Sequence, residues 1–156
     1  MDSTTSSLFK INVDGALSKI NSSVGIEVVI RDDAGQVVAA LCKRIHAPLG
    51  PLEVEAKAFE AGLQLVRDIG LQDIILERDS LVIVRAFCGL SYPPSSVASL
   101  ILGMQLFSTE FHMVNVSHVK RQGNKLAHIL AKYALSIDDS IVWIEEIPCC
   151  IEQALI

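Results

Sequence analysis

This sequence predicts an α/β fold: a mixed five-stranded sheet, three antiparallel strands followed by parallel ones, flanked by helices. Three observations carry that prediction. The first third of the chain is three strand-like segments joined by short polar or turn-forming links. The second half alternates strand-like and helical segments, which is the pattern of strand–helix–strand crossovers. Between them, residues 53–69 carry apolar side chains at helical spacing over a length sufficient to lie across a sheet.

The first strand covers residues 10–16. Phe9, Ile11 and Val13 fall on one side and Lys10, Asn12 and Asp14 on the other, the period-two alternation of a pleated strand. A Ser- and Asn-rich link leads to a second strand at 24–31. Asp32-Asp33-Ala34-Gly35 is a turn signal, and a third strand at 36–43 returns antiparallel. Pro48, Gly50 and Pro51 end this meander.

Val54, Ala58, Ala61, Leu65 and Ile69 then step by three or four, and Gly70 is placed as the stop of that helix. A fourth strand at 73–77 is apolar enough, at Ile74, Ile75 and Leu76, for the interior of a sheet. Asp79-Ser80 reads as the N-cap of a helix through Leu81, Val84, Ala86 and Phe87. After a break at 89–96 come a helix at 97–107, a strand at 111–119, a polar turn at 121–124 and an amphipathic helix at 125–135. The expected organisation is one domain over 8–135, a frayed tail at 1–7, and an apolar C-terminal tail at 136–156 that packs on the domain around Trp143.

Composition narrows the class. Of 156 residues, 51 % are hydrophobic and 20 % charged, which excludes a disordered chain. No apolar run reaches the ~18 residues needed to cross a bilayer, so no membrane partner is expected. The cysteines Cys42, Cys88, Cys149 and Cys150 match no zinc spacing, and two are adjacent, which argues against a disulfide framework. With no basic and apolar leader in the first residues, an intracellular location in cytoplasm or nucleus is expected. The net charge of −5 has the wrong sign for a strong general nucleic-acid binder, so a polyanionic substrate would need a local basic patch or metal ions.

Three carboxylates stand out. Asp14 ends the first strand, Glu55 sits early in the long helix, and Asp79 follows directly on the fourth strand. Each has an ordinary structural reading: a turn residue, a complement to the helix dipole, a helix cap. Taken together they suggest more. If the first and fourth strands are neighbours, Asp14 and Asp79 come together at their ends, and a helix packed across the sheet brings Glu55 to the same spot. Clustered carboxylates repel unless they share protons or cations. Hard oxygen ligands suit Mg²⁺ or Mn²⁺ alongside phosphate oxygens, and a pair of such ions can both activate water and stabilise a leaving oxygen.

The chain resembles the type 1 ribonuclease H family, and most of all its plant reverse-transcriptase-like branch. The resemblance rests on 9–16 (Phe9-Lys10-Ile11-Asn12-Val13-Asp14-Gly15-Ala16), Gly25-Ile26 and Val29-Ile30-Arg31-Asp32, and Glu55-Ala56 with Ala58. It continues through Glu77-Arg78-Asp79-Ser80 and Ser117-His118-Val119-Lys120-Arg121, then Asn124, Ala127, Leu130 and Ala131, and the tail from Trp143 to Pro148. It implies metal-dependent endonucleolytic hydrolysis of the RNA strand of an RNA–DNA hybrid, with Asp14, Glu55 and Asp79 as ligands of two Mg²⁺ or Mn²⁺ ions. The family's fourth acidic ligand falls in an Ala-Asp-x-Leu-Ala context, which here reads Ala127-His128-Ile129-Leu130-Ala131. His128 therefore stands at a catalytic position. An imidazole removes a negative charge and favours Mn²⁺ over Mg²⁺, but it can also move a proton near neutral pH.

Substrate contacts are expected from Lys120, Arg121 and Lys125, beside the proposed site, with Lys43, Arg44 and His46 as a second small basic group. Asn12 and either Gln122 or Asn124 are candidates to reach 2′-hydroxyls. Gly15 and Ser80, next to the acids, complete the substrate-binding set. Some family members carry a basic protrusion between helices, whereas residues 86–97 here contain no Lys or Arg. Two other readings stay open: a catalytically weak or inactive nucleic-acid-binding or interaction module, and a nuclease of the same fold acting on other nucleic acid. A monomer is expected.

Overall fold

The computed structural model describes residues 7–18, 22–78, 80–118, 134–135 and 140–144. Its strands are β1 (Phe9–Leu17), β2 (Val24–Arg31), β3 (Val37–Ile45), β4 (Asp73–Arg78), β5 (Met113–His118) and β6 (Ser140–Ile144), and its helices are α1 (Pro51–Asp68), α2 (Leu81–Phe87) and α3 (Ala98–Ser108). Among the described residues they form one six-stranded sheet in the order β5-β4-β1-β2-β3-β6. The pairs β1–β2, β2–β3 and β3–β6 are antiparallel, while β1–β4 and β4–β5 are parallel. This is the mixed, helix-flanked sheet the sequence predicts, with six strands where five are predicted. The additional strand is β6, which pairs Ile141 with Cys42 and Trp143 with Ala40 along the outer edge of β3. An edge of unpaired amides and carbonyls is a template for another strand, and this apolar segment takes it.

The two faces of the sheet are covered differently. Alternation along β1 and β2 sends Ile11, Val13, Ile26, Val28 and Ile30 into the main core, together with Phe59 and Leu63 of α1, Ile83 of α2 and Ile101 and Met104 of α3. Each fully buried side chain of this size contributes about 1.5–3 kcal/mol. The opposite face carries Val29, Ala40 and Cys42 against Ala134, with Trp143 alongside. α1 begins with Pro51 at its first turn, where a missing N–H costs nothing, and has Glu53 near the positive end of its dipole. It ends where predicted. Gly70 takes φ +82°, and the Leu71 amide bonds the Val66 carbonyl at 3.0 Å, a turn that a side chain at Gly70 would strain.

Local chemistry fixes the connections. Asp32 Oδ1 accepts from the amides of Ala34 and Gln36, both at 2.9 Å, which shapes the β2–β3 turn. Gln105 of α3 donates through Nε2 to the Phe87 carbonyl at 2.9 Å, satisfying a group that α2 leaves open at its C-terminus. At the start of β4, Asp73 bonds the His112 ring at 2.5 Å, and Gln72 Oε1 accepts from the His112 amide, tying β4 to the entry of β5.

Candidate active site

The site is organised by the middle of β1. Asn12, Val13 and Asp14 are buried along it, Asp14 being 9 % exposed. Asp14 Oδ1 accepts from the Gly15 amide at 2.8 Å, which orients the carboxylate. Asp14 does not end the strand as predicted: β1 runs on to Leu17 along β2, and Asp14 instead lies two residues past Asn12, where the pairing with β4 stops. Gly15 lies against α1. A Cβ there would fall 2.3 Å from Val54 Cγ1, so only glycine lets the first turns of α1 cross the strand at this point. Glu55 is the next residue of α1 and is half-buried. The close approach at Gly15 therefore brings the first turns of α1, which carry Glu55, against β1.

The premise that the first and fourth strands are neighbours holds. β1 and β4 pair in parallel with Asn12 opposite Glu77, and each of these lies two residues before a predicted carboxylate, Asp14 and Asp79. Asn12 Nδ2 donates to Glu77 Oε1 at 3.3 Å across this pair. Ser80 is buried and takes the N-cap position of α2 with extended backbone, but its hydroxyl makes no capping bond. Asp79, Lys120, Arg121, Asn124 and His128 lie outside the described residues, as do Gln122 and Lys125. Of the second basic group, Arg44 donates through Nε to Ser23 Oγ at 3.3 Å, while Lys43 is exposed on β3. Among the described residues no three His, Cys, Asp or Glu side chains converge closely enough to hold one metal ion.

The site contains a residue that the sequence reading passed over. Glu27 of β2 is directly opposite Asp14 in the antiparallel register and is 0 % exposed. Its signal was present: a lone carboxylate interrupts the apolar run from Val24 to Ile30 in a strand with neighbours on both sides. Burial of an acid there requires compensation that a surface acid does not. Glu77, the partner of Asn12, reads in sequence as the end of the fourth strand and the start of the Glu77-Arg78-Asp79-Ser80 stretch, with no role of its own.

A three-strand meander continued by parallel strands, with α1 crossing its face and a buried acid on β1, is a ribonuclease H-like fold, and solved structures agree. RNase H1 of the archaeon Halobacterium salinarum superposes with a TM-score of 0.77 at 24 % identity, covering 83 % of this chain and 98 % of its own. The N-terminal RNase H domain of a Mycobacterium tuberculosis protein matches with a TM-score of 0.74 at 22 % identity, over 84 % of this chain and 95 % of that one. LC11-RNase H1, solved in complex with an RNA/DNA hybrid, matches with a TM-score of 0.74 at 22 % identity, over 82 % and 96 %. No curated protein matches the chain. The chain belongs to the Reverse transcriptase-like family, whose model matches residues 12–134.

Proposed function

We propose that this protein is a metal-dependent endonuclease that hydrolyses the RNA strand of RNA–DNA hybrids. The observation that carries the reading is the buried Asp14 on β1, two residues past the stretch that pairs in parallel with β4, on a ribonuclease H-like fold. The donors on this face fit a hard divalent cation. The Asp14 carboxylate and the Asn12 Oδ1 are oxygens, and Asn12 Oδ1 is buried with no hydrogen-bond partner.

In this reading Asp14, Glu55 and Asp79 hold Mg²⁺ or Mn²⁺. Bound there, a pair of divalent ions would supply an activated water and charge stabilisation at the leaving oxygen of a phosphodiester. The protein's own part is positioning. The Gly15 amide fixes one oxygen of Asp14, and Glu77 holds the Asn12 amide so that Asn12 stands ready at the sugar edge of the RNA strand. Lys120 and Arg121 contact phosphates without reading sequence, and Gly15, Ser80 and Asn124 line the path of the strand. His128 takes or gives a proton, or offers a nitrogen that shifts metal preference towards Mn²⁺.

A second reading is a binding or interaction module that keeps the fold without full chemistry. His128 in place of an acid and the net charge of −5 favour it. A fluorogenic RNA–DNA hybrid assay, run with Mg²⁺ and then Mn²⁺, separates the two. The nuclease reading expects cleavage that Asp79→Asn abolishes and that His128→Asp raises in Mg²⁺. Hybrid binding without cleavage in either metal would establish the module instead.

A further inference from the structure

We propose that the face formed by α3 and the loop before it docks a second copy of this chain, giving a dimer in place of the monomer that the sequence suggests. This goes beyond the nuclease reading and does not depend on it. In a sequence that is 20 % charged, residues 86–109 contain no Asp, Glu, Lys, Arg or His. The fold turns part of this stretch outward. On α3, Ile101 and Met104 enter the core, while Leu102 and Leu106, one turn apart, are 58 % and 65 % exposed. In the loop, Leu90 and Tyr92 are 68 % and 98 % exposed. Gln105 joins the two groups: its Nε2 donates to the Phe87 carbonyl, and it borders the same hollow as Leu90, Tyr92 and Pro93. Apolar side chains scattered singly over a surface are ordinary, whereas a grouping of this kind marks an interaction surface.

Charge selects the occupant. The chain carries a formal net charge of −5, so two copies repel one another overall. An uncharged face is where they meet without opposing like charges, and it complements itself, as a two-fold interface must. Nucleic acid and anionic lipid both need Lys or Arg at the face they dock on, and this stretch has neither. Relief favours the same occupant. Beside the projecting Leu102 and Leu106, a Cβ at Gly103 would meet nothing within 4 Å, and the notch there is lined by Leu63 of α1 and by Met104 and Phe107. A ridge and a notch on one face let each copy seat its leucines in the other. Charges begin at the border, where Arg67 lies over the Phe107 ring and pairs with Glu110 at 3.7 Å. An apolar centre inside a polar rim is the anatomy of a protein interface.

The test is the mass of the full chain in solution, by light scattering after size exclusion at micromolar and higher concentration. Wild type is expected at twice the chain mass. Leu102→Glu and Leu106→Glu change exposed side chains, so both are expected to keep the wild-type circular dichroism and to fall to the single-chain mass. Gln36→Glu, which adds the same charge at the exposed β2–β3 turn, is expected to stay dimeric. Wild type at the single-chain mass would overturn the proposal, and its flotation with neutral phosphatidylcholine vesicles would then assign the face to a lipid surface. Dimers that survive both leucine variants, or that Gln36→Glu disrupts equally, would place the contact elsewhere and overturn it as well. Should a glutamate variant misfold, Leu102→Ser combined with Leu106→Ser takes its place, with the same single-chain mass expected.

Discussion

At the scale of single residues, Gly15 decides how close the long helix comes to the candidate catalytic acid. The contact it permits with Val54 is tighter than any side chain allows. Gly15→Ala is therefore expected to destabilise the fold by about 1–3 kcal/mol, the usual cost of overpacking a core. Urea denaturation checks this. Val54→Ala placed in the Gly15→Ala background removes the clashing methyl, so the double variant is expected to lose less stability than the two single losses added together; simple additivity would show that Gly15 is not held by Val54. Gly15 was legible as a neighbour of Asp14, but its packing role was not. That role depends on where α1 crosses β1, and no local pattern encodes the crossing.

At the scale of elements, the parallel pair β4–β5 is fastened at its entry by Asp73 and His112. Hydrogen bonding to Asp73, and then its negative charge, raise the His112 pKa above its ordinary value of 6.5. A group whose pKa is raised by folding binds its proton more tightly in the folded chain. The stabilisation is thus fully present below pH 6.5 and is lost as pH rises through the raised folded value. The melting temperature of His112→Ala is expected to lie furthest below wild type in the acid range, with the gap narrowing at alkaline pH. A gap independent of pH would show that the ring contributes packing alone. The ring is exposed, so the effect is screened and modest. This contact could not be anticipated from sequence: it joins residues separated by 39 positions, and the pairing exists only once β4 and β5 lie side by side.

At the scale of the whole molecule, the local signals carried far. Alternation along Phe9 to Asp14, the turn at Asp32 to Gly35 and the helical steps from Val54 to Ile69 each describe an element that the structure contains. What escaped was set by register and by free edges. β6 reads in sequence as an apolar tail, because the open edge of β3 that receives it has no local signature. Glu27 reads as one charge in a strand until the antiparallel register sets it against Asp14. The proposed function requires acids distant in sequence to meet around shared cations at Asp14 of β1. A crystal structure grown with Mn²⁺, with the metal located by its anomalous signal, tests that most directly. Manganese is expected on carboxylate oxygens of Asp14, Asp79 and Glu55; crystals with no manganese at Asp14, or with those oxygens too far apart to share an ion, would refute the nuclease reading.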